Sequence, residues 1–85
     1  MPYIKVTDRL KVEQTGATSA GELNFLFTEV IIDYISRNKL SYATINDVLG
    51  ALEGAKLEFY RRVAVPYEED KIATNTDVYP ASFPR

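Results

Sequence analysis

Apolar residues recur every three or four positions in two long stretches of this chain, and each recurrence predicts an amphipathic helix. In the first, Leu23, Leu26, Phe27, Val30, Ile31, Tyr34 and Ile35 follow the start Ser19-Ala20-Gly21-Glu22. That start has capping-box spacing, in which the Ser19 hydroxyl takes the Glu22 amide while Glu22 reaches back. At about 100° per residue the apolar side chains make one broad face. Asn38 ends the pattern, so a helix is predicted over 19–38. Phe25 and Ile32, seven apart, fall on the opposite side. A second apolar stripe means a helix covered on two sides, and a partner chain is the expected cover.

The second pattern begins near Ser41 or Thr44, with Asp47 in the first turns, where negative charge is favoured. Ile45, Val48, Leu49, Leu52, Phe59, Tyr60 and Val63 share an arc of about 120°. The opposite face carries Ala43, Gly50, Gly54, Leu57 and Arg61. Two glycines inside a helix cost about 1 kcal/mol each relative to alanine. Their G-x-x-x-G spacing suggests a closely crossing helix, with close approach of a ligand as the alternative. Pro66 removes one backbone donor and crowds the Arg62 carbonyl, which predicts a kink or interruption. The residues on both sides stay helix-compatible, so the helix is expected to span 41–73, with Glu68, Glu69 and Asp70 opening its restarted part.

The ends are less regular. Residues 1–18 read as an extended arm, MPYIKV, and a brief helix, about DRLKVEQ, capped by Thr7 or Asp8 and closed by TGATS. Residues 74–85 read as an extended tail whose Tyr79 and Phe83 dock on the body or on a partner. The expectation is one all-α domain. Two long helices pack antiparallel, the second kinked near Pro66, within an oligomeric bundle.

Composition strengthens the oligomer. Eighty-five residues lie at the lower edge of what one core stabilises, and no cysteine is present to add a disulfide. With 46% hydrophobic residues and no staple, burying surface against another copy is the remedy. Ten basic against twelve acidic residues leave a charge of −2, so a nucleic-acid polymer is not an expected partner. No apolar run approaches the roughly 18 residues of a membrane span, and MPYIKVTDRL lacks the apolar segment of a secretory signal. A soluble, cytoplasmic protein with no membrane partner is expected.

The candidate chemistry is cationic and aromatic. Lys56 lies inside the apolar arc, with Glu53 three residues before and Tyr60 four after. It either snorkels to pair with Glu53 or stands as a partly desolvated cation ready for an anion. Arg61 and Arg62 point about 100° apart, so one faces a partner helix and the other solvent or a groove. Arginine suits bidentate binding of carboxylate or phosphate, and its plainer role is pairing within the helix, as Arg62 with Glu58. Asn24 sets helix register or reads a ligand. A ligand site is therefore expected around Lys56, Tyr60, Arg61 and Arg62, with Tyr3 closing it. The assembly face is expected to use Phe25, Ile32, Gly50, Gly54 and Leu57.

Catalysis has little support. With no histidine or cysteine, no nucleophilic triad or thiolate ligand exists. Glu29 and Asp33, with Glu68, Glu69 and Asp70, could share a metal, but the E-x-x-x-D spacing departs from the E-x-x-E and E-x-x-D of all-α nucleotide pyrophosphatases. No catalytic residue, metal site or cofactor is assigned.

The block SYATINDVLGALEGAKLEFYRRVAVPYEEDKIATNTDVY, with the opening MPYIKVTDR and the segment GELNF, resembles a group of small uncharacterised proteins from bacteria and tailed phages. These are similar in an MPYI start, an LN-aromatic segment, a long helix close to LEGAKLEFYRRVAVPYEDKKI and a following NGDVY. Here Thr76 stands in place of that glycine, so the tight turn does not carry over by identity. The resemblance implies a phage or bacterial cytoplasmic origin and no catalytic assignment. Three functions compete. The first is a non-enzymatic oligomer sequestering a small anionic, nucleotide-type ligand, as a phage counter-defence protein would. The second is an assembly or protein-interaction module without a small ligand, and the third a metal-dependent nucleotide hydrolase.

Overall fold

The computed structural model describes residues 2–83, and among them there are helices and turns but no strand. The helices are α1 (Val6–Thr15), α2 (Ala20–Asn38), α3 (Tyr42–Phe59) and α4 (Val65–Asn75), with a π-helical turn at Tyr60–Ala64 joining the last two. The all-α expectation therefore holds. The chain divides into two units, one ending at Val48 and the other starting at Leu49.

In the first unit α1 starts at Val6, earlier than expected. Thr7 and Asp8 lie inside it rather than capping it, and Asp8 places its charge in the first turn, where the dipole favours it. Gly16 closes the helix at φ 90°, its amide donating to the Val12 carbonyl at 2.8 Å. α2 opens as its sequence predicts at Ser19, whose hydroxyl accepts the Glu22 amide at 3.2 Å. Glu22 reaches back one residue further than expected: its carboxylate takes the amide and the hydroxyl of Thr18, at 2.9 and 3.0 Å. Those bonds favour the charged form and hold the Glu22 carboxyl below its usual range.

α1 packs on α2, and the only buried hydrophobic residues among those described are Val12 and Phe25. Phe25, read from the sequence as part of a stripe left for a partner, is 8% exposed in the single chain. Arg9 of α1 stands over its ring at 5.9 Å, while its Nε donates to the Ile4 carbonyl. Ile32, the other member of that stripe, is exposed. So are Leu23, Phe27 and Val30 from the face expected to be the inner one. The periodicity located a helix with two apolar sides; the docking of α1 decides which of them is covered.

The turn into α3 is tied through Thr44, a buried polar residue at 7% exposure. Ser41 donates its amide to the Thr44 hydroxyl at 2.9 Å, and the Thr44 amide donates to the Ser41 hydroxyl at 3.2 Å. Thr44 thus fills the reciprocal role that a glutamate fills in a capping box. Its hydroxyl also donates to the Lys39 carbonyl at 2.9 Å. Tyr34 near the end of α2 donates to Asp47 of α3 at 2.8 Å, and that carboxylate raises the Tyr34 pKa. Thr44→Val keeps the shape and removes the bonds of the Thr44 hydroxyl to Ser41 and Lys39. It should destabilise the fold by about 1–2 kcal/mol, read as an earlier denaturant midpoint with an unchanged slope.

The second unit is built on one helical run. The backbone stays helical through Pro66 and ends at Asn75, two residues beyond the expected stop. A π-turn is how it passes the proline. The Val65 amide donates to the Tyr60 carbonyl, five residues back, which widens the turn where Pro66 offers no donor to Arg62. After Asn75 the chain reverses at Thr76, which holds φ 69° and ψ 160° and gives its amide to Ile72 at 2.9 Å. Asp77 then accepts the Tyr79 amide at 2.9 Å, and the rings of Tyr79 and Phe83 meet at 5.7 Å. The two tail aromatics, expected to dock elsewhere, contact each other.

Thr76 occupies backbone territory that is essentially glycine's, and Lys39 does the same at φ 71° and ψ 140°. The turn of the resembled NGDVY pattern is thus present without its glycine. Thr76→Gly should raise stability by about 1 kcal/mol, the strain relieved outweighing the added freedom of the unfolded chain. A thermal melt of the variant beside the parent checks this.

Candidate functional site

The cations expected to bind a ligand lie along α3 and the π-turn, and each is paired within the helix. Lys56 Nζ sits 3.3 Å from Glu53 Oε1, with its side chain 75% exposed. In the single chain it is therefore an exposed lysine in an i, i+3 ion pair. Arg61 and Arg62 both reach Glu58: Arg61 Nη2 lies 2.6 Å from Oε2, and Arg62 Nε lies 2.5 Å from Oε1. The sequence anticipates the Arg62 pair at i−4; Arg61 joins from i−3. Two neighbouring arginines that point apart can still converge on one carboxylate placed a turn before them. Exposed pairs of this kind contribute at most about 1 kcal/mol each.

Tyr60 parts company with these residues. It lines a groove of about 340 Å³ with Val65, Ile72 and Tyr79 as apolar wall and Glu68, Glu69 and Asp77 as acidic rim. The groove lies within the second unit, against α4 and the returning tail. Acids of the restarted helix, Glu68 and Glu69, thus lie beside a tyrosine expected at the ligand site. Only the reversal at Thr76 brings Asp77 and Tyr79 back to α4, and the residue type at 76 carries no sign of that. The signal that could have found it is Asp77 two residues before Tyr79, the spacing of an Asx turn. Tyr3 belongs to the first unit and is exposed.

The residues expected at the assembly face are mostly open. Ile32 and Leu57 are exposed, and a Cβ built at Gly50 or Gly54 meets no atom within 4 Å. Nothing within the chain accounts for glycine at either position. Asn24, also exposed, accepts the Thr28 hydroxyl on its backbone carbonyl.

The carboxylates considered for a metal do not converge. Asp33 is taken by Arg37, whose Nε lies 3.0 Å from both its oxygens. The Glu29 carboxyl bonds with Glu13 of α1, and that bond, burial and the Glu13 charge raise its pKa, partly offset by Arg9. Among the described residues no three acidic side chains are grouped to hold a metal ion, and no helix is long and apolar enough to cross a membrane.

These features define a small all-α protein whose polar groups serve helix ends and surface ion pairs, and whose apolar side chains are largely uncovered. The chain belongs to the family described as a domain of unknown function, DUF6899, which matches residues 1–78. No curated protein and no solved structure matches it.

Proposed function

We propose that the chain is a non-enzymatic self-assembling helical module of the cytoplasm, with α3 as its main assembly surface. The observation that supports this most is the apolar arc of α3. Ile45, Leu49, Leu52, Phe59, Tyr60 and Val63 are all exposed, Leu49 by 60%, while only Val12 and Phe25 are buried hydrophobics among the described residues. A row of exposed aliphatic and aromatic side chains along one helix face is what an interface between copies covers. An antiparallel bundle of the long helices of two or more copies would cover it. Sedimentation velocity of the parent across micromolar concentrations tests this, and a single monomeric boundary throughout would end the reading.

A second reading is supported by the shared carboxylate. Glu58 alone balances two arginines, and Arg61, Arg62 and Lys56 keep their side chains more than 70% exposed. A net positive turn at an interface suits a small anion of nucleotide type, for which Glu58 would give way. Native mass spectrometry of the protein from lysate reports subunit number and retained ligand together.

A further inference from the structure

The acidic groove and the amino-terminal arm are complementary in both charge and polarity. Residues 65–79 carry Glu68, Glu69, Asp70 and Asp77 against Lys71 alone. Residues 2–11 carry Lys5, Arg9 and Lys11 against Asp8 alone. The groove offers Val65, Ile72 and two tyrosines as an apolar wall. On the arm Tyr3, Val6 and Leu10 are exposed, with Val6 and Leu10 one turn apart and about 140° round α1 from the buried Val12. Among the described residues neither Lys5 nor Lys11 has an ion pair, and Glu68 on the groove rim has none. A basic, apolar-striped segment and an acidic, apolar-walled groove thus stand uncovered on one chain.

We infer that the arm and outer side of α1 of one copy dock in the α4 groove of a second copy, Lys5 against the acidic rim that includes Glu68. The inference rests on the self-assembly proposed above and adds a second contact to the α3 surface. Opposite charges at the contact favour this docking, and like charges placed there oppose it.

The test is a reciprocal charge exchange in the full-length chain, followed by sedimentation at low ionic strength, where screening is weakest. Lys5→Glu sets an acid against the acidic rim, and Glu68→Lys sets a base against the basic arm. Each variant alone should raise the concentration for half-assembly at least tenfold while keeping the helical circular dichroism of the parent. Mixed in equal amounts, they should recover assembly, because in a mixed pair residues 5 and 68 again face each other with opposite charges. A monomeric parent would overturn the self-assembly reading and this inference together. If the parent assembles and neither substitution loosens it, the groove faces something else, such as a small organic cation, and the inference alone falls. It falls equally if both variants dissociate and their mixture does not recover.

Discussion

Leu52→Glu is expected to sediment as a monomer at concentrations where the parent is assembled. Leu52 lies in the middle of the exposed arc of α3, a turn from Leu49 and two from Phe59. Inside one chain the cost should be the smaller part, because the side chain is 40% exposed and glutamate is a good helix former. The larger part appears where another copy covers the arc, since a carboxylate taken into an apolar contact without a partner loses several kcal/mol of hydration. Each 1.4 kcal/mol is tenfold in a dissociation constant, so a shift of two decades or more is expected. Unchanged helicity with lost assembly would place the effect between copies. Unchanged assembly would move the interface off this arc.

Gly54→Leu should also loosen assembly, by about 1–3 kcal/mol from overpacking, or roughly ten- to a hundredfold. The open space around Gly50 and Gly54 makes this discriminating. In an isolated helix, replacing either glycine by alanine should stabilise by about 1 kcal/mol. A second backbone crossing at the glycines would reverse that preference for the assembled form. Equilibrium sedimentation of Gly54→Leu, with circular dichroism on the same samples, separates the two cases. More helix and undiminished assembly would mean that no helix crosses there.

The helices were legible because their signals are local. Ser19 with Glu22 marked one start, Ser41 or Thr44 offered the other, and i, i+4 spacing gave the faces. Pairing was legible where it is local too, as for Lys56 with Glu53 and Arg62 with Glu58. Which apolar side of α2 is covered was not, because that depends on where α1 docks, and both stripes satisfy the same periodicity. The course past Pro66 was hidden for a related reason. A proline forbids one hydrogen bond, and either a break or a wider turn answers it equally well in sequence. The groove was least visible of all. It depends on a reversal at Thr76, a residue type that gives no warning of positive φ.

The π-turn at Tyr60–Ala64 makes chain length at this point a structural variable in its own right. It fits one residue more than an α-turn into nearly the same rotation, so loss of a single residue there would close it to an ordinary α-turn and leave α4 nearly in phase with α3. The same loss would leave Pro66 inside an ordinary helix at a cost of about 3 kcal/mol. Insertion and proline are therefore tied to each other: in descent, a relative lacking one should lack the other. A paired deletion and proline replacement would be the shortest evolutionary step to an uninterrupted α-helix that keeps the Glu68 side facing the same way.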